Sequence, residues 1–305
     1  MLVNSGTYVG NSTAARQIVG VGFQPDLVIV KSLTQTYDTW FKTKDMASTQ
    51  SFPTRADAAS ATDKITSLDA NGFTIGSIQD VNNTGQTFAW IAFKDNGAGD
   101  FATFTYTGDA TDDKLVFTGF QPDYAMIKSN GTITGAEKFV GQASALATPA
   151  SNVASMLYQS GADRADLMAF TSSGIYVSNG SGSGGNLVNQ NALSHFGYCF
   201  KNVAGLIQAG SYTGNGATQT IATTFKPAYI NIHAASAQQP VTQYECQQSG
   251  GFTQPFDGYQ ITGKITATTA AGFSLANEAN VNGNAVTFWY IAIGSTRKNQ
   301  AFFGL

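Results

Sequence analysis

The sequence predicts an all-β fold of three tandem antiparallel β-sandwich repeats, lectin-like or jelly-roll-like and about 100 residues each. The first observation behind this prediction is a Phe-x-Pro motif that leads into an apolar run three times, at Pro25, Pro122 and Pro227. These prolines are 97 and 105 residues apart, a spacing that is too long for a solenoid unit and suits a small domain. The second observation is that apolar and polar residues alternate in many short segments, whereas helical periodicity is weak.

Four markers recur in the same order in each repeat. An aromatic-Gly pair comes first, at Tyr8-Val9-Gly10, Tyr106-Thr107-Gly108 and Tyr212-Thr213-Gly214. The Phe-x-Pro strand follows, then a Gly-apolar turn and an aromatic-rich closing strand at residues 88–93, 195–200 and 288–293. These markers place the first repeat at residues 1–97, the second at 98–204, and the third, with a C-terminal tail, at 205–305. Because the joints between repeats are short, we expect the repeats to pack against one another.

Individual elements follow from local patterns. Pro25 leads into a short apolar strand over residues 27–31, since proline fixes the entry and cannot donate to a ladder. Residues 64–68 alternate between apolar and polar and lead to Asn71-Gly72, a pair that favours a hairpin turn. Residues 153–158 form the segment in which we expect a short helix.

Composition narrows the function. Charged residues make up 11% of the 305-residue chain, against roughly 25% in an average globular protein. A polar, uncharged surface of this kind is common in extracellular, adhesive and virion-surface proteins. The net charge of −3 and the lack of a basic run argue against a nucleic-acid partner. Neither a signal peptide nor an apolar run of about 18 residues is visible, so we expect synthesis in the cytoplasm without membrane insertion.

Recurring residues suggest structural roles. The tyrosines of the aromatic-Gly pairs are expected to be core rings or hydroxyl anchors, at Tyr8, Tyr106 and Tyr212. Asp26 and Asp123 follow the proline in two repeats and are expected to cap a turn. One position five residues further on is basic in all three repeats and is expected to lie at a strand end facing solvent, at Lys31, Lys128 and His233.

Residues with catalytic or ligating chemistry are sparse. Glycines 180, 182 and 185 match a dinucleotide-binding spacing, but no helical run follows them. His195 lies on a closing strand and is expected to be a partly buried, hydrogen-bonded residue, and Cys199 and Cys246 are expected to be free thiols. The acidic residues clustered at 109–113 are expected to form a solvated turn. The sequence therefore predicts no catalytic residue, cofactor site or metal site.

The repeats differ most in the segments that follow the Phe-x-Pro strand, at residues 34–63, 130–163 and 234–260. Constant strands with variable loops are a way for one scaffold to present different contact surfaces. The aromatic residues of these segments are the candidates for contact with a ligand or partner, namely Tyr37, Trp40, Phe41, Tyr244, Phe252 and Phe256. Tyr37 and Trp40 are the candidates for stacking on a sugar.

The repeat pattern resembles a known module. Its carriers are the segments Gly6-Thr7-Tyr8-Val9-Gly10-Asn11, Gly22-Phe23-Gln24-Pro25-Asp26-Leu27-Val28-Ile29-Val30-Lys31, Asp69-Ala70-Asn71-Gly72-Phe73-Thr74-Ile75-Gly76 and Trp90-Ile91-Ala92-Phe93-Lys94. This pattern resembles an uncharacterised β-sandwich repeat module in structural proteins of tailed bacteriophages. The resemblance is strong in the first repeat, fair in the second and loose in the third.

The resemblance implies a virion component and carries no catalytic residues. We expect a non-enzymatic structural protein, foremost a surface accessory or decoration (cement) protein that binds other capsid or tail proteins at the virion surface. The alternative is a receptor-binding or glycan-binding tail fibre or tail-tip protein, whose partner would be a host-surface glycan.

Overall fold

The structure of the protein is a computed structural model that describes residues 1–54, 60–130, 139–143, 154–156, 163–164, 168–178, 188–234, 241–244, 252–255 and 261–295. Among the described residues the regular secondary structure is mainly antiparallel β-strand, with little helix, so the all-β prediction is confirmed. None of the described helices is long and apolar enough to cross a bilayer.

The strands follow one another through the chain with two short helices among them. The first third contains β1 (Leu2–Val9), β2 (Arg16–Val19), β3 (Leu27–Ser32), β4 (Trp40–Thr43), β5 (Phe52–Pro53), β6 (Ile65–Asp69), β7 (Gly72–Ile75), α1 (Gln79–Asn82) and β8 (Thr87–Lys94). The middle third contains β9 (Phe101–Thr107), β10 (Lys114–Phe117), β11 (Tyr124–Asn130), β12 (Phe139–Ala143), β13 (Ala154–Met156), β14 (Asp163–Arg164), β15 (Met168–Thr171), β16 (Gly174–Val177) and β17 (Ser194–Phe200). The last third contains β18 (Ile207–Thr213), β19 (Gln219–Ala222), β20 (Pro227–Ala234), β21 (Val241–Tyr244), β22 (Phe252–Pro255), β23 (Ile261–Thr262), β24 (Ile265–Thr269), β25 (Gly272–Leu275), α2 (Ala279–Asn282) and β26 (Thr287–Gly294).

Within the described residues these strands form larger and smaller sheets. The larger ones have the strand orders β1-β8-β3-β4-β5, β9-β17-β11-β12-β13-β14 and β18-β26-β20-β21-β22-β23, and we call them large sheets one, two and three. The smaller ones have the orders β2-β7-β6, β10-β16-β15 and β19-β25-β24, and we call them small sheets one, two and three. The closing strand of each third lies second in its large sheet, between the first strand and the Phe-x-Pro strand.

Each large sheet is covered on both faces. Because successive side chains along a strand point to opposite faces, neighbouring residues of one strand belong to different cores. In β3, Leu27 and Ile29 point into a core that also contains Met126 of large sheet two and Ile291 of large sheet three. We call this shared cluster the central core. The residues between them, such as Val28, belong to separate clusters in which a large sheet packs on its small sheet. The predicted strands are therefore buried on both sides and read as continuous apolar runs.

The large sheets also meet around the central core in a cyclic order. Strand β4 contacts β17, β12 contacts β26, and β21 contacts β8, so each sheet's fourth strand meets the second strand of the next sheet. Phe41 of β4 lies edge-on to Tyr198 of β17 at a centroid distance of 5.8 Å, and Tyr124 of β11, the strand beside β12, lies 5.9 Å from Trp289 of β26. The predicted packing between neighbouring parts of the chain is thus observed.

Two local predictions can be compared with the structure. The Asn71-Gly72 hairpin is present, with Asp69 opposite Gly72 at the end of β6 and β7. The short helix expected over residues 153–158 is wrong, because Ala154–Met156 forms β13 and pairs with β12. Backbone hydrogen bonding to a neighbouring strand there overrides the local preference for helix.

Candidate functional site

The recurring tyrosines anchor one end of each third of the chain. The hydroxyls of Tyr8 and Tyr212 donate to the carbonyl oxygens of Val81 and Val281, each at 2.6 Å, and the Tyr106 hydroxyl donates to the carbonyl oxygen of Val188. Burial raises the pKa of each of these tyrosines, so the hydroxyls stay protonated donors. The prediction of core rings or hydroxyl anchors is confirmed in its second form, since all three hydroxyls are anchored, whereas Tyr8 is buried and Tyr106 and Tyr212 are partly buried.

A buried asparagine follows each anchoring carbonyl, and sequence reasoning missed it. The side-chain oxygens of Asn82, Asn189 and Asn282 accept the backbone N–H of Asn11, Asp109 and Asn215 at 3.0, 3.1 and 2.9 Å. Each of the three asparagines also donates to the loop that follows the first strand of its large sheet. The signal was present as a Val-Asn pair that recurs shortly before the closing strand of each third of the chain. These residues are structural, because every contact they make joins two segments of the chain.

The glycine of each aromatic-Gly pair explains how closely these segments approach. A Cβ atom on Gly108 would lie 2.0 Å from the carbonyl oxygen of Gln190, and one on Gly10 would lie 2.0 Å from that of Asn83. Carbon and oxygen cannot approach to that distance without moving the backbone. The recurring glycines are therefore required by contact with the backbone of the segment that leads to the closing strand.

The capping role expected for the aspartates is observed. Asp26 accepts the backbone N–H of Asp95 at 2.8 Å, and Asp123 accepts that of Asn202 at 2.8 Å. Each carboxylate holds the chain where a closing strand leaves its sheet. Near the clustered acidic residues, Asp109 accepts from Lys114, Thr111 and Asn189, and these hydrogen bonds hold the pKa of its carboxyl well below the usual range. This turn is exposed, as expected.

The solvent-facing role expected for the recurring basic position is wrong. Lys31, Lys128 and His233 are all buried, because they lie on strands that are covered on both faces. The Lys31 ammonium donates to the carbonyl oxygen of Tyr37. The His233 ring stacks on Trp289 at a centroid distance of 4.0 Å, and burial holds its pKa well below the usual range. The sequence could not show that these strand ends face the central core.

The aromatic residues proposed as contacts lie mostly in the interior. Trp40 lies in the cluster between large sheet one and small sheet one, where the Lys64 ammonium is 5.1 Å from its ring centroid. Phe41 and Tyr244 belong to the central core. Tyr37 is partly buried, and its hydroxyl accepts a hydrogen bond from Asn83 at 2.9 Å.

The remaining two candidates give less information. Phe252 begins strand β22, and Phe256 lies outside the described residues. A contact role for the six aromatics stays a prediction, but burial keeps the rings of Trp40, Phe41 and Tyr244 from any partner that docks on this conformation. Strands β4 and β21 carry them into the interior because both strands pair inside large sheets rather than forming loops.

The histidine and cysteine of β17 are interior residues. His195 is fully buried, stacks on Tyr106 at a centroid distance of 4.8 Å, and places its Nδ1 3.0 Å from the carbonyl oxygen of Leu193. Burial lowers the pKa of His195 to about 4, so its ring is neutral at pH 7. Cys199 is a free, buried thiol. Among the described residues no group of three or more His, Cys, Asp or Glu side chains could hold a metal ion.

The outer face of small sheet two carries an exposed apolar stripe. Leu115, Phe117 and Tyr176 are 45%, 71% and 38% exposed. Leu115 lies directly opposite Tyr176 across the strand pair, and Phe117 lies two residues further along on the same face. We call these three residues the apolar stripe. The repeat pattern did not mark these three residues, because its own markers lie on the inner faces of the sheets.

The corresponding positions of the other small sheets are more polar. Small sheet one has Gln17, Val19 and Thr74 there, and small sheet three has Thr220, Ala222 and Ser274. A cluster of large exposed apolar side chains is the feature that marks interaction sites on protein surfaces. The apolar stripe is therefore the candidate functional site of the described surface.

Comparison with known proteins adds a family assignment. A family model described as a domain of unknown function (DUF7483) matches residues 2–104 and 157–253, which is more than half of the chain. The chain belongs to the DUF7483 family. Searches of curated proteins and of solved structures return no match. Since the function of DUF7483 is unknown, what this member does has to be argued from its geometry.

Proposed function

We propose that the chain is a non-enzymatic structural protein of a tailed-bacteriophage virion, an accessory or decoration protein that binds other virion proteins at the particle surface. In this proposal each large sheet and its small sheet form one β-sandwich module, and the three modules close around the central core. The three modules then form one rigid unit, and its surfaces for contact with partners lie on the outside.

The observation that carries the proposal is the apolar stripe. Aromatic residues are enriched where protein interfaces bury their centres, and Phe117 and Tyr176 lie side by side with Leu115 on a flat sheet face. A protein partner that covers this face removes its apolar surface from water, which stabilises the complex by about 25 cal/mol per Å² of apolar area. The low charge of the chain fits a protein interface rather than a nucleic acid or a charged membrane surface.

The receptor-binding alternative has less support in the geometry. Of its two sugar-stacking candidates, Trp40 is a core residue between two sheets and Tyr37 is partly buried. A sugar needs an exposed ring face, which Trp40 lacks in this conformation. A tail location with contact through the apolar stripe would still be a protein–protein role, so the location is an outcome of the experiment.

The test exchanges surface residues between small sheets. The stripe variant Leu115→Thr, Phe117→Ala, Tyr176→Ser gives small sheet two the residues that small sheet three has at these positions. The control variant Gln17→Thr, Val19→Ala, Thr74→Ser makes the same exchange in small sheet one. Each purified protein is mixed with particles that lack it, and the bound fraction is measured by sedimentation and located by cryo-electron microscopy.

We expect the wild type and the control variant to bind, and the stripe variant to bind at least tenfold more weakly, since interface aromatics contribute about 2 kcal/mol or more each. Failure of the wild type to bind particles would reject the virion proposal. Equal binding by the stripe variant would reject the stripe as its docking face. Density spread over the capsid would support a decoration role, and density confined to the tail would contradict it.

A further inference from the structure

A cavity of about 380 Å³ opens beside the Phe-Gln-Pro-Asp motif of the first third of the chain. Its walls come from the loop before β3, the end of β4 with the loop that follows, and β6. The polar side chains among its lining residues include Gln24, Asp26, Lys42, Lys44, Ser48 and Ser67. This volume falls within the range of about 300–1,000 Å³ that is usual for small-molecule sites.

Lys42 is the unusual residue of this cavity. It is buried, and its ammonium donates to the carbonyl oxygens of Ala47 and Gln50 at 2.8 and 2.7 Å. A lysine ammonium has three N–H donors, so these two bonds leave one for a ligand. No ion pair joins Lys42 to an acidic side chain in the part of the chain that the structure describes. Burial lowers its pKa to about 8, which still leaves the ammonium charged at pH 7.

The other large sheets place a neutral residue where large sheet one has Lys42. Lys42 lies opposite Val28, Gln142 lies opposite Ala125, and Gln243 lies opposite Ile230. Gln243 lies with its side-chain nitrogen 3.5 Å from the carbonyl oxygen of Ile265 in small sheet three, a purely structural contact. The fold therefore does not need a cation at this position. Burying a charge costs free energy, and the equivalent strands form with a neutral residue at this position. The presence of Lys42 therefore points to a ligand.

The charges around the cavity define the ligand. Lys44 adds a second ammonium, which donates to Thr103 at 2.6 Å and lies 3.9 Å from Asp45. Asp26 supplies one carboxylate to the lining, and that carboxylate already accepts the backbone N–H of Asp95. Since Asp45 lies beside Lys44, Lys42 is the lining ammonium that has no acidic partner among the described residues, and one such charge favours a monoanion over a phosphate dianion.

The uncharged lining residues suit a sugar ring. Ser48 and Ser67 offer hydroxyls, and Gln24 offers an amide, for the hydroxyl groups of a pyranose. Pro25, Met46 and Leu68 supply apolar surface for its ring face. We propose that this cavity binds an acidic monosaccharide of the hexuronic acid class, with the sugar carboxylate on the Lys42 ammonium and Lys44 beside it. This site is separate from the apolar stripe and does not depend on the virion proposal.

The experiment titrates the full chain with sodium glucuronate at pH 7 by isothermal calorimetry and ligand-observed NMR. Glucose, acetate and inorganic phosphate serve as comparison ligands. The key variant is Lys42→Gln, which installs the residue that large sheets two and three have at the same register. Its folding is checked by thermal unfolding, and Lys44→Gln, at a partly exposed site, is the second variant.

We expect glucuronate to bind more tightly than glucose, acetate or phosphate, and Lys42→Gln to weaken glucuronate binding at least tenfold while leaving the chain folded. Lys44→Gln should weaken it less. Binding should also decline between pH 7 and pH 9.5 as Lys42, whose pKa burial lowers to about 8, loses its proton; the charged groups nearest to it on the packed elements are Asp26, Lys44, Asp45 and Asp69. Absence of glucuronate binding up to tens of millimolar, equal binding of glucose, tighter binding of phosphate, or unchanged binding by Lys42→Gln would each overturn the proposal. If Lys42→Gln unfolds, the other two measurements decide. Weaker glucuronate binding by Lys44→Gln and a decline in binding between pH 7 and pH 9.5 would support the proposal, and the absence of both would overturn it.

Discussion

Small sheets two and three have the same strand order, and their registers match apart from a shift between Ile265 and Ala267 in β24, yet their outer faces differ. On the inner face, apolar side chains recur at each position, with Val116 and Ile175 in one sheet and Ile221 and Phe273 in the other. On the outer face, small sheet two carries the apolar stripe, and small sheet three carries small polar or methyl side chains. The inner faces are constrained by packing, whereas the outer faces are free to diverge in sequence.

The largest effect should come from truncating an inner side chain. Phe273→Ala removes a fully buried ring and should lower the free energy of unfolding by about 3–5 kcal/mol. Phe117→Ala removes an exposed ring of the same size and should change that free energy by no more than about 0.5 kcal/mol. Urea unfolding followed by tryptophan fluorescence measures both. Similar losses for the two variants would show that the outer face also holds the fold together.

A smaller effect is expected at the aromatic-Gly pairs, where the thirds of the chain are alike. Gly108→Ala places a Cβ atom 2.0 Å from the carbonyl oxygen of Gln190, so the backbone must shift at a cost of about 1–3 kcal/mol. Gly119→Ala also loses a glycine, but its Cβ would meet nothing closer than 4.0 Å, so its cost should come mainly from its positive φ of 85°. Thermal unfolding of both variants separates close approach from backbone strain. If Gly108→Ala is as stable as the wild type, the close approach is not essential.

The smallest effect on stability at neutral pH is expected at the ring that stacks on the recurring tyrosine, which is a histidine in one third of the chain and a phenylalanine in the others. Tyr106 stacks on His195, whereas Tyr8 and Tyr212 stack on Phe88 and Phe288 at the same register. His195→Phe should therefore be tolerated at pH 7. The wild type should lose stability as pH falls from about 6.5 to 4, because the unfolded chain takes up a proton at His195 that the folded chain, with a pKa of about 4, does not.

His195→Phe removes this contribution, so the variant should be more stable than the wild type by about 1–3 kcal/mol at pH 4. The difference between the two unfolding free energies is measured across pH 4 to 7, since His233 and the carboxylates titrate alike in both proteins. A difference that does not change with pH would mean that His195 is protonated inside the fold.

Local patterns in the sequence predicted strands, turns and anchors well. The Tyr8 hydroxyl bond, the Asp26 cap and the Asn71-Gly72 hairpin all depend on residues close to a strand end, where spacing carries the information. The burial of Lys31 and Phe41 depends instead on the packing of whole sheets around a shared core, which no local pattern encodes. The exposure of the apolar stripe could not be predicted either. Alternation along a strand separates its residues into two faces but does not show which face the rest of the protein covers.

The contact between β21 and β8 closes the order in which the large sheets meet. It joins residues 241–244 to residues 87–94, so the apolar face of β8, with Ile91 and Phe93, gains its last neighbour only after about four fifths of the chain has left the ribosome. Until then the nascent chain must keep that face covered by other means or present it to chaperones. The central core that covers this face of the first third is therefore complete only after β26 of the last third has been made.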